Sequence, residues 1–299
     1  MPRLFSSSLF RPAQLLASLP LAMLLLTGCA TQIFLHPQTA REAVAARPVA
    51  SASYGDAPEI ITVTNKFGHR LLGWAFFSPA NTGVVLVGDG NATGIAQTYE
   101  YNRYLLHRGF NVLVLSYQGF DSNEGEADIN SLFGDVESFY LFCQNRFPDE
   151  RICLVAESIS TAPFFCFASQ QPEIAALVVE AMVNPKTVIL TKLNDWWFLY
   201  PLYPLTFGVA SLIGASVPEN LDIKEALRKH PAIPTMFIHH PGDRITPCRA
   251  ARRIFQQYEG PKEWIALRTA RSWECHMSAS YEPEVTERIV RFLKARLNP

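Results

Sequence analysis

The sequence predicts an α/β domain built on a mostly parallel central sheet, with helices on both faces and a cap inserted late in the chain. Three observations carry this. Short, continuous apolar runs rich in Val, Ile and Leu recur at 83–87, 111–115, 152–156, 176–180 and 235–239, the pattern of strands buried on both faces. Stretches with helical spacing lie between them, the alternation of βαβ units. The interval between Glu180 and Pro234 is too long for one crossover helix and so must hold an insertion.

The elements follow in order. Residues 60–64 and 70–77 are β-rich and flank Asn65-Lys66-Phe67-Gly68, a turn sequence, so the domain opens with a hairpin. After the strand at 83–87, residues 97–108 have helical spacing and stop at Gly109, a C′ glycine. The strand at 111–115 leads to a helix over 128–144, and the strand at 152–156 to a helix over 159–169. Past the insertion come the strand at 235–239, a helix over 247–258, a strand at 263–267 and a closing helix over 284–297. The insertion spans about 184–231. Its stretch 196–217 carries no charge, is rich in Trp, Tyr and Phe, and is interrupted by Pro201 and Pro204. Its length would permit a membrane span, but the prolines favour a cap over a pocket. A pair of core-packing helices remains open.

Composition narrows the function. Of 299 residues, 48% are hydrophobic and 18% charged, which excludes a disordered chain. Lys and Arg number 26 against 27 Asp and Glu, so no basic footprint for nucleic acid exists. No cluster of His, Cys and Asp has metal spacing, and neither a metal nor a cofactor is expected.

The N-terminus reads as a targeting segment. Arg3 and Arg11 precede an apolar run, 15–26, and no acidic residue occurs before Glu42. The run ends Leu26-Thr27-Gly28-Cys29, which resembles the bacterial lipoprotein signal. That resemblance implies removal of residues 1–28, acylation of Cys29, and, with Ala30 rather than Asp next, anchoring in the outer membrane facing the periplasm. An ordinary signal peptide containing a Cys is the alternative. Residues 29–57, rich in Ala, Pro, Ser and Arg, read as the lipidated end and a tether, leaving 58–299 as the folded domain. Of the remaining cysteines, Cys143, Cys153 and Cys166 lie in apolar stretches and read as buried thiols, while Cys248 and Cys275 carry no pairing assignment.

Chemistry concentrates at the carboxyl ends of the strands. Ala156-Glu157-Ser158-Ile159-Ser160 lies between a strand and a helix, where a nucleophile elbow would sit with small residues two places either side of the serine. Alone it is weak, since Ser is also a common helix cap. Gly88-Asp89-Gly90-Asn91-Ala92 follows the strand at 83–87, where an oxyanion hole draws one backbone N–H; the other comes from the residue after the nucleophile. Those donors would be Asn91 and Ile159. Asp243 lies just past a strand and before a helix, and His276 follows the last strand. Glu180, at the end of another strand, is a rival acid.

With these motifs the chain resembles the α/β-hydrolase superfamily over essentially all of 60–297. The match is closest to its serine-aminopeptidase and monoacylglycerol-lipase-like branch. Residues 117–125, Tyr-Gln-Gly-Phe-Asp-Ser-Asn-Glu-Gly, resemble that branch's Tyr-Arg-Gly-Tyr-Gly-x-Ser-x-Gly loop. Gly90-Asn91-Ala92 resembles its His-Gly-Asn-Ala turn, with Asp89 in place of the His, and Ser160 stands where Gly is usual. The resemblance implies that Ser158 attacks an acyl carbon, His276 shuttles the proton, Asp243 holds the imidazole, and the Asn91 and Ile159 amides bind the oxyanion. It implies a lipid-anchored serine hydrolase acting on a small-molecule ester. An amidase or aminopeptidase with the same triad, and a catalytically silent binding module, are the alternatives.

Overall fold

The computed structural model describes residues 31–32, 35, 58–91, 93–188, 208, 211–229, 233–269 and 275–297. The opening hairpin forms as expected: β1 (Glu59–Thr64) pairs antiparallel with β2 (Arg70–Phe76), with Thr64 opposite Arg70. The turn is fastened by Asn65. Its Oδ1 accepts the amides of Phe67 and His69, and its Nδ2 donates to Gln118 Oε1 and Asp135 Oδ1 at 2.9 Å each.

Then come β3 (Val84–Gly88), β4 (Asn111–Leu115), β5 (Ile152–Glu157), β6 (Ala176–Glu180), β7 (Thr235–His239) and β8 (Lys262–Ala266). The sheet has eight strands in the order β1-β2-β4-β3-β5-β6-β7-β8. β2 meets β4 antiparallel, and every pairing from β4 onward to β8 is parallel.

Alternation along each central strand divides the core. Val84, Leu86, Leu113, Leu154, Leu177 and Phe237 face one layer, packed by α2 (Leu132–Arg146), α3 (Thr161–Ala168), α4 (Ile223–Lys229) and α5 (Cys248–Gln257). Val85, Val87, Val112, Val155, Val178 and Met236 face the other, packed by α1 (Ile95–His107) and α6 (Pro283–Leu297). Burying each such side chain contributes roughly 1.5–3 kcal/mol, which is why the middles of these strands are apolar and their polar residues, Asn111, Glu157, Glu180, Thr235 and His239, stand at strand ends. Helix α1 ends as its sequence requires, with Gly109 at φ +99 just beyond it.

Three boundaries differ from expectation. α2 starts at Leu132 rather than at 128, because Asp128 turns the chain instead: its Oδ1 accepts the Asn130 amide at 3.0 Å, an Asx turn. The helix expected from 159 is preceded by a 3₁₀ turn, Ser158–Ser160. Part of the expected tether is also fastened to the domain. Thr31 Oγ1 accepts the Ile129 amide at 3.3 Å and lies 3.4 Å from Asp128 Oδ1, and the apolar side chain of Leu35 is buried in the core.

Within 184–231, Lys186 pairs with Asp222 at 2.6 Å, and Ile213, Val217 and Leu221 are buried. The aromatic stretch 196–207 lies outside the described residues, as do Cys29 and the signal segment. Among the described residues, no helix is long and apolar enough to cross a membrane. Cys143, Cys153 and Cys166 are buried free thiols, as their apolar contexts imply; Cys248 is a half-buried free thiol and Cys275 is half-buried.

Candidate active site

The carboxyl edge of the parallel sheet gathers the residues that the sequence singles out. Ser158 follows β5, and its backbone is held at φ +50, left-handed for a residue with a Cβ. Such a conformation persists where its surroundings over-determine it. Here Thr161 Oγ1 donates to the Ser158 carbonyl at 2.6 Å, and the Val183 amide in turn donates to Thr161 Oγ1 at 2.8 Å. The turn is thereby tied to the segment after β6.

Ser158, His276 and Asp243 form one hydrogen-bonded chain. Ser158 Oγ lies 2.8 Å from His276 Nε2, and His276 Nδ1 lies 2.8 Å from Asp243 Oδ2. The Asp243 carboxylate also accepts Thr246 Oγ1 and the amides of Ile245 and Thr246, each at 2.8 Å. Burial pushes Asp243 up, but the His276 bond and charge and the Thr246 donors outweigh it, and Asp243 stays below the usual carboxylate value. The acid is therefore ionised at neutral pH. Behind it, buried His239 donates Nε2–H to the Thr246 carbonyl at 2.8 Å and stacks on Trp264. Burial lowers the basicity of His239, so it braces the Asp243 loop as a neutral ring.

Glu180, the rival acid, makes a different contact: its Oε1 accepts the Ala279 amide at 2.9 Å. The imidazole is bonded to Asp243.

The loop that holds Asn91 follows β3, whose Gly88 is in register with Ala156 of β5. Asn91 therefore sits at the sheet edge on the strand next to the one that carries Ser158, and Ile159 directly follows the serine. The two departures in this region each have a structural role. Asp89 is fully buried, and its Oδ1 accepts Thr98 Oγ1 at 2.5 Å and Thr93 Oγ1 at 3.0 Å. Burial, reinforced by the charge of Asp121, pushes its carboxyl well above the usual value, and its bond to Thr98 ties the loop to α1. Ser160 Oγ donates to the Asp89 carbonyl and accepts Tyr117 OH at 2.7 Å. It thus joins the loop after β3, the turn after β5 and the 117–125 loop. A Cβ on Gly88 would lie 2.6 Å from both Ser160 Cβ and Phe164 Cε2, so these two neighbours together require the glycine.

Sequence reasoning missed Thr246, Thr161, Thr93 and Thr98. The Asp-x-x-Thr spacing of Asp243 and Thr246 was available as a signal for the first. The others act across distant segments.

The architecture and this edge define the α/β-hydrolase fold. Solved structures agree: the esterase Pf2001 of Pyrococcus furiosus superposes with a TM-score of 0.65 at 14% identity, covering 83% of this chain and 94% of its own. An esterase domain from a Rhodothermus marinus protein gives 0.58 at 16% identity, covering 81% of this chain and all of its own. In sequence, the uncharacterized protein Rv2307c of Mycobacterium tuberculosis is 31% identical over 233 residues, 74% of this chain and 75% of the relative. The chain belongs to the same family as that mycobacterial protein. No family model matches it.

Proposed function

We propose that this chain is a serine hydrolase that cleaves carboxylic esters or related acyl bonds through an acyl-enzyme. The observation that carries the reading is the pair of 2.8 Å contacts linking Ser158 Oγ, His276 and Asp243 across three loops. In the first half-reaction His276 Nε2 takes the Ser158 proton as Oγ attacks the acyl carbon, and then returns it to the departing alcohol oxygen. Water repeats the sequence on the acyl-serine, releasing the acid and regenerating Ser158. Asp243 holds the imidazole with Nδ1–H toward itself and stabilises the imidazolium. The amides of Asn91 and Ile159 receive the oxyanion, each such donor being worth ~3–4 kcal/mol of barrier. None of these steps calls for a cofactor. The esterase names of the superposed structures support the ester class.

The same atoms could cut an amide, as an aminopeptidase does, so the test separates bond types. A fluorophosphonate probe is applied first, followed by p-nitrophenyl esters beside aminoacyl p-nitroanilides. The expected result is labelling at Ser158 and faster turnover of esters. Absence of labelling in folded protein overturns the enzyme in favour of a silent binding module, and faster anilide cleavage overturns the ester class.

We further propose that Cys29 is acylated and anchors the domain in the cell envelope, at the periplasmic face of the outer membrane. Thr31 is two peptide units beyond Cys29, at most ~7 Å of chain, and is fastened at Asp128 and Ile129, just before α2 at the carboxyl edge. An acylated Cys29 would hold the Ser158 edge close to lipid. Cys29→Ser is expected to move the protein from the membrane to the soluble fraction. A variant that still sediments wholly with membranes would sink the anchor.

A further inference from the structure

The turn that carries His276 is strained on both sides. Cys275 has φ +57 and Met277 φ +52, left-handed conformations for two residues with side chains. Something must hold this turn, or the imidazole would not stay within 2.8 Å of both partners. The two residues that follow supply the grip. The amides of Ser278 and Ala279 both donate to the carboxyl of Glu180, the Ala279 bond measuring 2.9 Å. Glu180 is itself the last residue of β6, in register with Glu157 of β5 and only 7% exposed.

We propose that Glu180 is a positioning residue of the site: its carboxylate clamps the turn that presents His276 and sets a second negative charge beside the imidazole, behind Asp243. Its part in turnover rests on the hydrolase reading given above.

The groups facing Glu180 are few. Glu157 comes from β5, held by Asn102 Nδ2 at 2.6 Å. Tyr101 and Tyr104 come from α1, His276 lies on the turn itself, and Asp243 follows β7. The residues from β7 and α6 that border the same wedge, Ile238 and Ile289, are apolar. The wedge has room for about one water at most, about 10 Å³. Burial accordingly drives the Glu180 carboxyl up to about 7, against the opposing pull of the two amides and of His276. The sign follows. Above that value Glu180 is ionised, grips the amides more strongly, and favours the protonated imidazole that forms during turnover; below it the clamp is neutral.

The test uses the full chain and the variants Glu180→Gln and Glu180→Ala. The Ala279 amide resonance is followed by NMR over pH 5–9, and kcat/KM for p-nitrophenyl acetate over the same range. In the parent protein the Ala279 amide should titrate with a midpoint near about 7. In Glu180→Gln, which keeps an acceptor and loses the charge, that titration should vanish. The acid limb of kcat/KM should then move down by roughly half a pH unit, with kcat reduced about 3–10-fold. Glu180→Ala, which loses the acceptor as well, should lower kcat about 100-fold with KM within about 3-fold, the signature of a misplaced group. An Ala279 amide that titrates alike in the parent and Glu180→Gln overturns the clamp. An unmoved acid limb overturns the charge effect. Loss in Glu180→Gln as large as in Asp243→Asn would make Glu180 the acid of the triad. If the parent protein hydrolyses no ester, the hydrolase reading falls, and the Ala279 titration still decides whether Glu180 holds the turn.

Discussion

Ser158→Ala is expected to lower ester hydrolysis by about 10⁶, the scale on which loss of a nucleophile acts when the triad works as a unit. The fold should survive. The change removes one hydroxyl from a turn already fixed by Thr161 and Val183. Alanine bears the same left-handed φ at the same cost as serine, since both carry a Cβ. The measurement pairs initial rates with a thermal melt. Retention of more than a few per cent of the rate, at an unchanged Tm, would exclude Ser158 as the nucleophile.

Asp243→Asn carries the second large expectation, a fall in kcat on the order of 10⁴. An asparagine can still accept the Ile245 and Thr246 amides through its one oxygen, so the loop should hold. Its NH₂ would then face His276 Nδ1, which would have to become the acceptor, leaving Nε2 protonated and unable to take the Ser158 proton. Charge matters as well as tautomer. The folded-state value of Asp243 is depressed, so its contribution to stability is present above the ordinary carboxylate range and is lost as the pH falls through the lowered value. Across the neutral range the wild-type acid does not titrate, and the asparagine variant should be impaired at every pH there. A larger loss in Glu180→Gln than in Asp243→Asn would transfer the acid to Glu180.

The central strands were legible because each is buried on both faces and apolar through its middle; β4, β6 and β7 begin and end where the sequence pattern places them. The start of α2 was not. Ile129 is fully buried and continues the helical spacing backward into a turn that Asp128 makes, so periodicity alone ran past the boundary. That Ser158, Asp243 and His276 follow β5, β7 and β8 was readable from the strand pattern. Their supports were not. That the Asp89 carboxyl would be pushed up depends on its burial and on Asp121 lying near it, and that Glu180 would face Ala279 depends on a contact spanning 99 residues. Local patterns encode burial and turns, whereas these contacts exist only once the sheet has set its strand order.

The pairing of Gly88 with Ser160 constrains how this chain can change over generations. A lineage cannot place a side chain at 88 while Ser160 remains, because the two Cβ positions would lie 2.6 Å apart. Nor can it trade Ser160 for glycine without releasing Tyr117 OH and the Asp89 carbonyl from their shared hydroxyl. Phe164 closes the same space at 2.6 Å, so no exchange at 160 alone would open position 88 to a side chain.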